Sequence, residues 1–239
     1  MKLSDIKKEY FLLLEDKMKE FGFKPNKKDF AFKKETKDVL FQISIIYNFG
    51  VECVELLPFM EIKRKDIHKI CELNNYELNY TAFINLFLYQ EILKGNFNDE
   101  TEWTMGYNET DRFKVYNSTD VKVFCYFLSD FMTNVMFFFE KYSTLNGIDS
   151  LFNTDPEYKF NPYCSGMDTH CIIGLISAKL CNHNYEEIKE VYKNELHINS
   201  KHHAERTLKC FDNLIKYFEE NPTPPTLASV MQTTSDEGK

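Results

Sequence analysis

The run VLFQISIIYN, residues 39 to 48, limits more than any other stretch what this chain can fold into. Val39, Phe41, Ile43, Ile45 and Tyr47 alternate with other side chains at a period of two, which places all five on one face of a strand. Such a strand needs neighbours on its edges and a cover over its apolar face. The flanking sequence supplies the neighbours. DFAFKKE (29 to 35) alternates through Phe30 and Phe32, and TKD (36 to 38) makes a turn. Asn48-Phe49-Gly50 turns the chain again, and VECVELLPFME (51 to 61) returns, with Pro58 pointing to an edge position or a strand end. The expectation is a three-stranded antiparallel meander.

Helices supply the cover. Leu3, Ile6, Tyr10, Leu13, Leu14, Met18 and Phe21 recur at three- and four-residue steps and form one helical stripe. Gly22 follows as a C′ residue, and Pro25 prevents continuation. RKDIHKICELNN (64 to 75) returns to helical period through Ile67, Ile70 and Cys71. Residues 78 to 92 read as strand, because Thr81, Phe83, Ile84 and Phe87 favour it and Asn85 is poor inside a helix. TEWTMGY (101 to 107) and RFKVYN (112 to 117) complete the sheet as a hairpin.

Asn117 then caps a long helix with Asp120 in its first turn. Val121, Phe124, Cys125, Leu128, Met132, Val135, Phe138, Phe139 and Tyr142 form its main stripe, while Val123, Phe127, Phe131 and Phe137 fall largely outside it. A helix apolar around most of its circumference calls for cover on two sides. The later sequence is helical over 147 to 153, 168 to 180, 185 to 196 and 201 to 220, and it is expected to provide the second cover. The fold class is therefore α+β: an N-terminal helix, an antiparallel sheet of about five strands with an inserted helix, a long closing helix, and an all-helical C-terminal extension. The domains expected are 1–143 (α+β), 144–221 (helices packed on 118–142) and a disordered tail over 222–239, which has almost no large apolar groups.

Three stretches carry a resemblance at the level of element order: EFGFKPNKKDFAFKKETKDVLFQI, IHKICELNNYELNYTAFINL and STDVKVFCYFLSDFM. Over residues 1 to 142 the chain resembles the fold shared by type III secretion chaperones and the YbjN-type bacterial regulators. The resemblance implies a domain, commonly dimeric, that binds segments of other proteins and has no enzyme activity. It transfers no functional residue, because those families recognise partners by surface patches. The helices after residue 143 depart from the simple chaperone pattern.

Composition narrows the partners. A net charge of −8 opposes nucleic-acid binding, and the basic stretches Lys24 to Lys28 and Lys63 to Lys65 are short. FLLL (11 to 14) is too short for a signal sequence, and no apolar run approaches a membrane span. Seven cysteines without regular spacing do not read as a disulfide framework, so a reduced, cytoplasmic protein is expected, and the resemblance implies a bacterial one.

No Gly-rich phosphate loop, nucleophile elbow or HExxH motif occurs. CSGMDTHC (164 to 171) and the residues after it do concentrate metal-capable groups. The fragments that could contribute to a metal site are Cys164 with His170 and Cys181 with His183. Cys171 and Cys181 lie about 15 Å apart along one helix, too far to share an ion. The competing reading makes the cysteines small apolar residues at helix interfaces, with Cys171 on a face with Leu175 and Ala178. Cys171 in a first helical turn is also a candidate reactive thiol, although burial opposes the thiolate.

The sequence thus leads to a non-enzymatic protein- or peptide-binding module without a cofactor, chaperone-like or regulatory and with homodimerisation among its options. Trp103 and Phe137 are its partner-binding candidates. An immunity-type protein that neutralises a toxin, and a metal- or thiol-dependent enzyme centred on residues 164 to 210, are the alternatives.

Overall fold

The computed structural model describes residues 1–50, 52–85, 113–157, 161, 163–164, 166–198 and 205–222. The strand expected over 101–107, its Trp103, residues 86–92 and the tail from 223 lie outside the described residues.

The fold is mixed α+β. In chain order it comprises α1 (Leu3–Glu20), β1 (Lys24–Asn26), β2 (Ala31–Glu35), β3 (Val39–Phe49), β4 (Val54–Arg64), α2 (Lys65–Leu73), β5 (Ala82–Asn85), β6 (Phe113–Val115) and α3 (Ser118–Tyr142). The helices α4 (Leu145–Asn153), α5 (Met167–Cys181), α6 (Tyr185–Ile198) and α7 (Glu205–Glu220) follow. The antiparallel sheet has the order β1-β2-β3-β4-β5, and β6 also pairs with β4, setting Val54 opposite Val115 and Leu56 opposite Phe113. Two details differ from the sequence reading. Pro25 does more than stop a helix: it sits in a three-residue edge strand opposite Phe32. Pro58 lies inside β4, a strand with neighbours on both sides, and not at an edge or an end. It follows the residues that pair with β6 and precedes Ile62, whose carbonyl accepts the Thr81 N–H.

Helix ends explain several residues that carry no core contact. α1 closes with the Phe23 N–H on the Met18 carbonyl and the Gly22 N–H on the Lys19 carbonyl, with Gly22 at φ 81°. The same paired closure recurs at Asn75 (φ 58°) after α2 and at Asn182 (φ 54°) after α5. Asn tolerates this left-handed position better than other side chains do. At the start of α3, Asn117 Oδ1 accepts from the Thr119 N–H at 2.8 Å, and Asp120 Oδ2 accepts from the Asn117 N–H at 3.0 Å, a reciprocal cap.

The chain forms two compact units. The first takes Met1–Glu35, Phe41–Glu61 and Phe83–Phe139. The second takes Thr36–Leu40, Ile62–Ala82 and Glu140–Lys239, so α2 belongs with the helices that follow residue 140. The core of the first unit is aromatic: Phe11 stacks on Phe32 at 4.8 Å, Phe41 meets Phe139 edge-on at 5.3 Å, and Phe113 of β6 packs on Phe127 at 4.7 Å. The core of the second joins Ile67, Ile70 and Cys71 of α2 to Ile148, Phe152, Ile172, Ile176, Tyr192 and Phe211 of the later helices.

Candidate functional site

The stretch CSGMDTHC lies in the second unit and starts α5. Gly166 is the N-cap, at φ 143°, and no side chain caps the helix. Asp168, in the first turn, accepts a hydrogen bond at Oδ2 from the Thr207 hydroxyl at 2.6 Å, tying α5 to α7. Thr169 through Ala178 are all buried, so α5 is the central helix of this unit and has no solvent face over that span.

Such an all-round apolar helix specifies its neighbours weakly unless polar groups fix the register. A chain of polar side chains does this between α4, α5 and α6. His183 Nδ1 donates to Asp149 Oδ2 at 2.7 Å. Asp149 Oδ1 accepts from Asn153 Nδ2 at 2.6 Å, and Nδ2 also reaches the Gly174 carbonyl (3.0 Å) and Ser177 Oγ (3.1 Å). The Tyr192 hydroxyl donates to Asn153 Oδ1 (2.6 Å) and shares its proton with the Phe152 carbonyl (3.0 Å). Having only one proton, it accepts from His170 Nε2 at 3.1 Å. That assigns the Nε2–H tautomer to His170 and leaves Nδ1 without a partner among the described residues. Gly174 makes room for the Tyr192 ring: a Cβ there would lie 2.6 Å from Cε2 and 2.7 Å from Cζ, inside any real contact distance.

This geometry decides what the four metal-candidate residues can do. Burial lowers the His170 pKa to about 4, so the ring is neutral, and one of its nitrogens is already committed to Tyr192. Cys164 points its thiol at the Asn161 and Gly166 carbonyls, and burial pushes it up to about 12. Cys181 donates to Asn146 Oδ1 at 3.4 Å, with its thiol raised to about 11 by burial and by the charge of Asp149. His183 and Cys181 both meet α4, but at different side chains. No group of three or more His, Cys, Asp or Glu among the described residues is arranged to hold a metal ion. Cys171 is fully buried, and desolvation raises its thiol far above the usual range, which opposes reactivity.

An Asp–His pair orients an imidazole as a general base would be oriented. Among the described residues no nucleophile is hydrogen-bonded to that imidazole, and the Cys181 thiol turns to Asn146 Oδ1 instead. Asp149, Asn153 and Tyr192 were not singled out from the sequence. Asp149 and Asn153 sit four residues apart beside Ile148 and Phe152, and polar residues inside an apolar helical stripe are the signal that could have found them.

A different site lies on the first unit. The main stripe of α3 is buried, from Val121 through Phe139. Phe131 is also buried, but Val123 is 55%, Tyr126 80% and Phe137 54% exposed. Val123 and Tyr126, three residues apart, share one outer helical face, and Phe137 is exposed on the part of α3 that follows a bend. Ser129 Oγ bonds back to the Cys125 carbonyl and Thr133 Oγ1 to the Ser129 carbonyl, ahead of a 46° bend between Thr133 and Val135. Phe137, chosen from the sequence, is therefore on the surface; Tyr126 was missed, because a tyrosine in a helix reads as readily as core. The large apolar side chains exposed among the described residues all belong to the first unit, Leu73 and Ile198 excepted. No single helix among the described residues is long and apolar enough to cross a membrane.

No family model, no curated protein and no solved structure matches this chain.

Proposed function

We propose that this chain is a non-enzymatic protein-binding module, chaperone-like or regulatory, working in a bacterial cytoplasm, and that it contacts its partner through the outer face of α3. The observation that carries the reading is the exposure of Val123, Tyr126 and Phe137 along α3. Large side chains grouped in this way mark interaction surfaces, and tyrosine and phenylalanine are favoured there. The order helix, strands, helix, strands, long helix is the one implied by the resemblance to secretion chaperones and YbjN-type regulators, and it supports the reading at the level of fold alone. The buried, protonated thiols of Cys164 and Cys171 speak against a thiol enzyme centred on residues 164 to 210.

The test is the double variant Tyr126→Ser, Phe137→Ser, compared with the native chain in affinity capture from source lysate and in thermal unfolding. The reading expects a partner with the native chain, loss of it with the variant, and an unchanged melting temperature. A partner retained equally by both proteins would place the contact elsewhere, and a native chain that captures nothing would remove the reading.

A further inference from the structure

We draw no further inference here: the strongest candidate, the exposed apolar surface of Val123, Tyr126 and Phe137 along α3, already carries the proposed function, and nothing in the structure shows what covers it.

Discussion

Replacing Tyr192 by phenylalanine keeps the ring in its Gly174 cradle and removes one oxygen from the centre of the polar chain. That oxygen serves three partners: Asn153 Oδ1, the Phe152 carbonyl and His170 Nε2. Asn153 and His170 are 4% and 2% exposed, so neither can turn to water. Each orphaned buried group costs roughly 1–3 kcal/mol. The phenol no longer has to be desolvated in the variant, which offsets part of this, so the expected loss is about 2–4 kcal/mol. For a chain of this size each kcal/mol moves the midpoint by about 2–4 °C, giving a fall of roughly 5–15 °C. Thermal unfolding followed by far-ultraviolet circular dichroism measures it, with Tyr126→Phe as a control expected to change nothing, since Tyr126 is 80% exposed. A Tyr192→Phe midpoint within about 2 °C of the native one would refute the claim that this chain of hydrogen bonds stabilises the helical unit.

Gly174→Ala tests the same contact from the other side: overpacking against the Tyr192 ring should cost about 1–3 kcal/mol or more in urea unfolding, and a neutral effect would show that the ring has room to move. Arg64 and Asp66 form a buried ion pair, with Arg64 Nη1 also on the Ser143 carbonyl at 2.6 Å, so Arg64→Met should cost about 3–5 kcal/mol while Arg64→Met with Asp66→Leu recovers most of it. A double variant no more stable than the single one would contradict this. His68 and His170 both have pKa values lowered to about 4, first by burial. Their unfolded forms take a proton as pH falls below the ordinary value of about 6.5, so stability is full above that pH and declines until pH 4. The urea midpoint should follow that course, and His170→Phe should flatten it; an unchanged slope in the variant would take His170 out of the account. Finally, Cys53 and Cys181 should be the described cysteines that react with a thiol reagent under native conditions, because Cys71, Cys125, Cys164, Cys171 and Cys210 are buried; early labelling of any of these, mapped by mass spectrometry, would contradict the packing.

Much of the fold was legible because period and capping are local. The alternation of Val39 to Tyr47 became β3, the helical steps of Leu3 to Phe21 became α1, and Asn117 with Asp120 became the cap of α3. The short strand β1 was not legible, since Lys24-Pro25-Asn26 has no strand propensity and is held by its pairing to β2. Pro58 misled for a related reason: proline has no N–H to donate to a sheet, and in β4 it falls between the residues paired with β6 and Ile62, which accepts from Thr81. Phe137 could be named but not decided, because three consecutive phenylalanines cannot share one helix face and serve a second core layer as readily as an exposed one.

The residues of CSGMDTHC show why chemistry was harder to read than fold. A metal or thiol site is a convergence of side chains from elements far apart in sequence, and residue type alone suggests it wherever Cys and His are dense. Burial argues in the opposite direction here. It raises the thiols of Cys164 and Cys171 and keeps His170 neutral, so the same residues that look reactive in the sequence are held in their uncharged forms. An uncharged imidazole can then be satisfied by a tyrosine rather than by an ion, and Tyr192 fits only because residue 174 has no side chain. Gly174, Tyr192 and His170 thus form a single packing decision. It fixes α5 against α6, and Asn153 and Asp149 extend it to α4, which gives an otherwise uniformly apolar helix one register among its neighbours.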